Sequence, residues 1–147
     1  MSGNLVGIAR ARELGAPLEE MTSASISLER GIEGDARGMK HGRQVTVLFR
    51  DGWGDACRDV GVELPWMTRR ANLLLANLER PREAGGLLRI GDAELQITME
   101  TRPCDLMERS YSGLRAALRP DWRGGVCCVV RRGGEIKLGD RAEYIPQ

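Results

Sequence analysis

Leu88-Arg89-Ile90-Gly91-Asp92-Ala93-Glu94-Leu95 is the stretch with the clearest structural signal, because apolar and polar residues alternate on both sides of a glycine turn. A second stretch, Ile136-Lys137-Leu138-Gly139-Asp140-Arg141-Ala142-Glu143, has the same pattern. Strand side chains point alternately to two faces, and glycine adopts the positive φ of a tight turn at low steric cost. Each stretch therefore predicts a β-hairpin, and the pair is too short to form a repeat array.

The remaining chain consists of short alternating or β-branched apolar segments that are separated by glycine-containing turns. This pattern is typical of an all-β barrel or sandwich. Strands are predicted over residues 5–9, 25–28, 44–49, 71–76, 87–90, 94–98, 126–130 and 136–138, with a loop over residues 29–43. Helical segments are predicted over 51–60, ending at Gly61, and over 106–118, interrupted at Gly113. We therefore expect a mainly β barrel with a few short helices.

The composition indicates one globular domain over residues 1–147. The chain is long enough for one core, and a hydrophobic share of 41% is ordinary for a globular protein. Because 22 basic and 21 acidic residues leave a net charge of +1, the overall balance selects neither nucleic acid nor a membrane as partner. All basic residues except Lys40 and Lys137 are arginine. The arginine fork suits a multiply anionic ligand, although a genomic preference for arginine explains most of the excess.

The histidine and cysteine counts exclude several kinds of site. His41 is the only histidine, so a site with several imidazole ligands is impossible and any catalytic triad would need that residue. The four cysteines contain no Cys-x-x-Cys pair, which argues against a structural zinc site and a redox dithiol. We find neither a signal-peptide pattern nor a run long enough to span a bilayer. We expect a cytoplasmic protein with reduced thiols.

One candidate site is Arg102-Pro103-Cys104-Asp105, where an alternating strand gives way to a helical stretch. A thiol at a helix N-terminus meets the positive end of the helix dipole, which favours the thiolate. Arg102 adds a positive neighbour and Asp105 opposes it. The alternative is a buried structural cysteine, a description that suits Cys57 and the Cys127-Cys128 pair better. Because adjacent residues of a strand face opposite ways, one member of that pair can still approach a site.

Two further segments carry groups that bind anions. Closely spaced glycines over residues 31–38 let backbone N–H groups approach an anion, and Lys40, His41 and Arg43 follow. The spacing matches neither a P-loop nor a dinucleotide fingerprint, so a solvated turn is the alternative. Thr68-Arg69-Arg70-Ala71-Asn72 offers two guanidinium groups and an amide before an apolar strand, with a solvated surface as its alternative.

Taken in order, these segments resemble the MOSC domain, the family named after the C-terminal domain of molybdenum cofactor sulfurases. The resemblance spans residues 5–144 and implies a small stand-alone member without an attached pyridoxal-phosphate domain. The segments that carry it are Gly31-Ile32-Glu33-Gly34-Asp35-Ala36-Arg37, Arg43-Gln44-Val45-Thr46-Val47-Leu48, Arg69-Arg70-Ala71-Asn72-Leu73, Leu88-Arg89-Ile90-Gly91-Asp92, Arg102-Pro103-Cys104, Gly124-Gly125-Val126 and residues 132–140.

The resemblance implies a β-barrel with a functional cysteine, which maps onto Cys104. Such a cysteine either holds sulfur as a persulfide for transfer to molybdenum cofactor, as in a sulfur transferase, or ligates molybdenum in a cofactor-dependent reductase. The partners implied are molybdenum cofactor or its carrier, and a cysteine desulfurase as sulfur donor. By analogy, the residues that would contact the phosphate and pterin of the cofactor are Arg37, His41, Arg69, Arg70, Asn72 and Arg102.

The sequence departs from the family pattern at two points. Ala71 separates Arg70 from Asn72, where direct succession is expected, so either Arg69 or Arg70 could face the site. The further domains of the larger reductase-type members are not found in this sequence. Two other hypotheses stay open, namely a non-catalytic module that binds the cofactor or another anionic ligand, and a barrel that has kept the fold but lost the site.

Overall fold

A computed structural model describes residues 2–39 and 42–147 and shows a mainly β protein. The strands are β1 (Ser2–Arg10), β2 (Glu19–Met21), β3 (Ser23–Ser27), β4 (Gly31–Ile32), β5 (Val45–Phe49), β6 (Leu73–Ala76), β7 (Leu87–Ile90), β8 (Ala93–Glu100), β9 (Val126–Arg132), β10 (Gly134–Lys137) and β11 (Arg141–Ile145). The helices are α1 (Arg50–Val60), α2 (Asp105–Ser110) and α3 (Leu114–Leu118), with 3₁₀ turns at Trp66–Arg69 and Pro120–Trp122. Within the described ranges, no helix is both long and apolar enough to cross a membrane.

Seven strands form a closed barrel in the order β11-β7-β8-β9-β5-β6-β1, because β1 also pairs with β11. Neighbouring strands of the barrel are antiparallel except for β5 and β6, which are parallel. A parallel pair needs a crossover connection, and α1 lies in the connection between these two strands. A second sheet contains β10, β3 and β4. The expected mainly β barrel with short helices is confirmed.

The first predicted hairpin is confirmed and the second is wrong. β7 and β8 pair across Gly91-Asp92, and Gly91 has a φ of +54°. In the second stretch, β10 pairs with β3, whereas β11 pairs with β7 and β1. Alternation specifies which face of a strand is buried, but it does not specify the partner strand. The chain therefore passes from the small sheet into the barrel where a hairpin was predicted.

Alternation along β5 separates two apolar layers. Val45, Val47 and Phe49 belong to the barrel core, whereas Leu48 packs with the residues of the helical layer. The helices contribute buried side chains to that outer layer at Trp53, Ala56, Cys57, Met107, Leu114, Ala117 and Leu118. All four residues of β6 are buried. A strand covered on both faces has this continuous apolar sequence.

Two short strands have no predicted counterpart. The loop predicted over residues 29–43 contains β4, where Ile32 pairs with Ile26 of β3. β2 has the sequence Glu-Glu-Met, which carries no alternating apolar signal, and it forms because β1 offers it an antiparallel partner. Short edge strands of this kind depend on the neighbouring strand more than on their own sequence.

The side chain of Asn72 ties three barrel strands together just before β6. Its Oδ1 atom accepts a hydrogen bond from the backbone N–H of Thr46 on β5 at 3.0 Å. Its Nδ2 atom donates to the carbonyl oxygen of Ala9 on β1 at 3.1 Å. Only 2% of Asn72 and none of Ala9 is exposed, so the Ala9 carbonyl oxygen has no ready access to water when the amide is removed, whereas Thr46 is half-buried.

We expect Asn72→Ala to lower the free energy of unfolding by roughly 1 to 3 kcal/mol, because it leaves the buried carbonyl oxygen of Ala9 and the half-buried N–H of Thr46 without partners. Urea denaturation measures the effect. Asn4→Ala, an exposed asparagine on β1, is the matched control and should change stability by less than about 0.5 kcal/mol. Equal effects of the two substitutions would contradict the structural role of Asn72.

Candidate functional site

A cleft of about 170 Å³ lies where the loop before β5, the turn before β6 and the start of α2 meet. It brings together five sequence-predicted site residues, Arg37, Arg69, Arg70, Asn72 and Cys104. The other residues that line it are Arg43, Thr46, Val47, Ala71, Thr101, Leu106, Met107 and Gly124. Residues far apart in the chain therefore form one concave site.

Cys104 is the exposed thiol of the protein, whereas Cys57, Cys127 and Cys128 are buried. It occupies the position before α2 with an extended backbone, and its carbonyl oxygen accepts a hydrogen bond from Met107 N–H at 3.0 Å. Pro103 precedes it, and β8 ends earlier, at Glu100. The thiol thus lies at the mouth of the cleft, where a ligand can reach it.

Arg69 places a buried guanidinium group beside Cys104. Only 7% of Arg69 is exposed. Its Nε atom donates a hydrogen bond to Gly124 O at 3.1 Å, and its Nη2 atom donates to Thr101 O at 2.8 Å. Within the described part of the chain, Nη1 donates no hydrogen bond. Burial lowers the pKa of Arg69; nearby Cys104 and Cys127 oppose this effect, and nearby Arg43 adds to it. The interaction between this guanidinium and a Cys104 thiolate is therefore favourable.

Arg70 also lines the cleft, because the backbone changes direction at this residue. The 3₁₀ turn ends at Arg69, and Arg70 adopts the left-handed conformation with a φ of +65°. Non-glycine residues rarely adopt this conformation unless the surrounding structure holds it. Nη2 of Arg70 donates to Ala16 O at 2.9 Å, and the Arg70 carbonyl oxygen accepts from Nη1 of Arg37 at 2.6 Å. Both adjacent arginines consequently border the same cavity.

Arg37 is held in place by Asp35, whose side chain is fully buried. Nε of Arg37 donates to Asp35 Oδ1 at 3.1 Å, and the same oxygen accepts from the N–H of Ala11 at 2.9 Å. Among the described residues, Asp35 Oδ2 has no hydrogen-bond partner. Asp35 belongs to the glycine loop identified in the sequence, but this supporting role was not predicted.

The remaining predicted site residues are placed differently. Asn72 borders the cleft, but its amide group binds the backbone of Thr46 and Ala9. Arg102 is exposed and lines neighbouring grooves. His41 lies outside the described residues. The individual roles of these residues in ligand binding stay predictions.

Two residues near the cleft were not predicted as site residues. Arg43 lines it, and its position in the basic segment after the glycine loop was the available signal. Cys127 lies behind the cleft, with its Sγ atom 3.2 Å from Oγ1 of Thr101. Its neighbour Cys128 belongs to the barrel core, where burial raises the pKa of the thiol. The two adjacent cysteines thus face opposite sides of β9, as expected for a strand.

The chemistry of the lining residues fits an anionic ligand. Four arginines border the cleft, and none of the described lining residues is Asp or Glu. Guanidinium groups bind phosphate and oxyanions through charge-assisted hydrogen bonds. The described residues contain no cluster of three or more metal-ligating side chains. The lining of the cleft is therefore positively charged and suits an anionic ligand.

Solved structures with a similar fold are small proteins of comparable architecture. The YuaD protein from Bacillus subtilis has 17% sequence identity and a TM-score of 0.85, covering 100% of this chain and 98% of its own. YiiM from Escherichia coli has 17% identity and a TM-score of 0.70, with 100% of this chain and 71% of its own covered. YiiM from Geobacillus stearothermophilus has 14% identity and a TM-score of 0.69, with coverage of 98% and 73%. At these identities the similarity shows the fold.

No curated protein matches the sequence. The model of the MOSC domain family does match, over residues 36–143, a range that contains the cleft arginines and Cys104. The family resemblance predicted from the sequence is therefore confirmed, and the chain belongs to the MOSC domain family, which is associated with molybdenum-cofactor sulfurase-like function.

Proposed function

We propose that the protein binds molybdenum cofactor and acts on it through the sulfur atom of Cys104. The observation that carries this proposal is an exposed thiol at the mouth of an arginine-lined cleft, next to a buried guanidinium group. A thiol at a purely structural position would be buried, as the other three are. Membership of the MOSC domain family supports the choice of molybdenum cofactor, and the arginines that line the cleft suit its anionic groups.

Arg37, Arg43, Arg69 and Arg70 would hold the phosphate or another oxyanion of the cofactor. Arg69 is already fixed by two carbonyl oxygens, so its remaining guanidinium nitrogen, Nη1, is oriented before a ligand arrives. Preorganised cations bind an anion without the cost of reorganising side chains. Arg37 is likewise fixed by Asp35 and by the carbonyl oxygen of Arg70. These contacts support a rigid anion site.

As a sulfur carrier, Cys104 would act as a nucleophile. Its thiolate attacks the outer sulfur of a donor persulfide, R–S–SH, and the S–S bond of the donor breaks. The donor leaves as the thiolate R–S⁻, and the protein holds Cys104–S–SH, so no external oxidant is needed. We propose a cysteine desulfurase as this donor and the cytoplasm as the location, because a free reactive thiol requires a reducing compartment.

As a metal ligand, Cys104 would place a soft sulfur atom at the entrance of the cleft. When bound, molybdenum cofactor supplies a high-valent metal centre that accepts thiolate ligands. Both roles require the same exposed sulfur atom and the same nearby cations. A non-catalytic binding module, by contrast, requires the arginines but not the thiol.

Cys104 should react with iodoacetamide at neutral pH at least about tenfold faster than the other three cysteines, because they are buried and it is exposed. Mass spectrometry of proteolytic peptides measures the rate for each thiol. In the denatured protein the four rates should become similar. If Cys104 reacts no faster than Cys57 in the folded protein, the reactive-thiol role is wrong.

The ratio of labelling by anionic iodoacetate to labelling by neutral iodoacetamide should be higher for Cys104 than for a free cysteine. We expect Arg43→Gln to lower this ratio about two- to threefold, since it removes one cation from the cleft, and we expect added salt to lower it as well. Arg50→Gln, an exposed arginine at the start of α1, is the matched control. A ratio that responds to neither Arg43→Gln nor salt would contradict an electropositive cleft.

Protein purified from a host that makes molybdenum cofactor should carry either an added sulfur atom on Cys104 or bound molybdenum. Intact mass and metal analysis measure the two outcomes, which correspond to the carrier and the ligand role. Cys104→Ala should abolish the added sulfur or reduce bound molybdenum about tenfold or more. Bound molybdenum that is unchanged by Cys104→Ala would show a binding module, and the absence of both would overturn the proposal.

A further inference from the structure

A groove of about 590 Å³ adjoins the cleft and is lined by Arg43, Met99, Glu100, Arg102 and Trp122. Arg43 borders both cavities. Two chain segments, residues 101–102 and 122–124, contribute to both cavities. Thr101 and Gly124 line the cleft, whereas Arg102 and Trp122 line the groove. The cleft and the groove are therefore neighbours that share Arg43 in their walls.

The cleft is small for a cofactor site. Sites that enclose a cofactor-sized ligand commonly measure about 300 to 1,000 Å³, and the cleft is about 170 Å³. A ligand of that size that reaches Cys104 would therefore extend beyond the cleft, and the groove that shares Arg43 with the cleft offers room for the extension.

The groove presents an aromatic ring, a carboxylate and two cations. Trp122 is partly buried against the barrel core, and its backbone is left-handed, with a φ of +57°. Hydrogen bonds hold this conformation, since Gly125 N–H donates to Trp122 O at 3.2 Å and buried Arg80 donates to Asp121 O at 2.7 Å. These contacts hold the backbone that carries the indole, and the indole itself lines the groove.

The charged side chains of the groove indicate which ligand groups can bind beside the Trp122 indole. Among the described residues, Glu100, Arg43 and Arg102 form no ion pair, whereas arginines elsewhere, such as Arg58 and Arg89, do. A carboxylate accepts hydrogen bonds from adjacent ring N–H and amino groups, and it disfavours a simple anion. Arginine binds a phosphate or carboxylate on the same ligand, and indole stacks on planar rings.

We propose that this groove is a second subsite that binds a planar 2-amino-4-oxopyrimidine heterocycle carrying an anionic group, while the reacting end of the same ligand lies at Cys104. Trp122 stacks on the ring, Glu100 accepts from its adjacent N–H and amino groups, and Arg102 binds the anion. The pterin of the cofactor and a guanine nucleotide share this chemistry. The position of the reacting end rests on the proposed function, whereas ring recognition rests on the groove alone.

The test uses the three tryptophan indole N–H signals in a ¹⁵N NMR spectrum of the full chain. Trp53 donates to Leu64 O and Trp66 to Glu20, so these two signals are internal controls away from the groove. Titration with 5′-GMP should shift the Trp122 signal saturably and leave the other two unchanged. 5′-AMP lacks the adjacent N–H and amino groups and should bind about tenfold more weakly. Guanosine without phosphate should also bind about tenfold more weakly.

Glu100→Gln should weaken GMP binding about tenfold and leave AMP binding unchanged, with exposed Glu63→Gln as the matched control. Pterin-6-carboxylate is the second probe. Tighter binding of this compound than of GMP assigns the groove to the cofactor pterin, and the reverse order assigns it to a nucleotide. The proposal is overturned if neither probe shifts the Trp122 signal at about 10 mM, or if GMP and AMP bind equally.

Iodoacetamide labelling of Cys104 on the same samples separates this proposal from the proposed function. Rapid labelling without a Trp122 shift overturns the groove subsite and supports the reactive thiol. A Trp122 shift without rapid labelling supports the subsite and contradicts the role of Cys104.

Discussion

The burial of the Arg69 guanidinium is the constraint on which the site depends. A charged group removed from water needs partners for its N–H groups, and two carbonyl oxygens supply them. Those carbonyls belong to Thr101 and Gly124, which lie at the end of β8 and just before β9, and Thr101 N–H also donates to Gly125 O at 2.9 Å. The end of the barrel thus sets the position of the cation beside Cys104.

The surroundings of this cation explain how a nearly neutral protein presents an arginine-lined cleft. The net charge is only +1, yet four arginines border one small cleft without an acidic residue among its described lining. Other arginines are neutralised by neighbouring carboxylates, as in the pairs Arg82–Glu79 and Arg123–Asp59. The field at the thiol therefore depends on how the arginines are distributed, and the sum of the charges gives no indication of it.

Backbone strain and buried polar contacts keep these groups in place. Arg70 adopts a left-handed conformation, and its carbonyl oxygen is bound by Arg37, which in turn is bound by buried Asp35. Each contact limits the motion of a side chain that borders the cleft. A rigid set of cations pays less entropy when a ligand binds, which is consistent with a site for a defined anionic group.

The amino-acid sequence is enough to predict the strand-rich class, the β7–β8 hairpin, the helix α1 and the family, because alternation, turn glycines and helical spacing are local patterns. It also indicates Cys104 and the Arg69-Arg70 pair as candidates. Tertiary contacts, by contrast, close the barrel between β11 and β1, direct the Asn72 amide to backbone groups, and place Arg43 at the cleft and Arg102 in a groove. These features depend on contacts between residues distant in the chain, such as Arg69 with Thr101 and Gly124, and a local pattern contains no information about them.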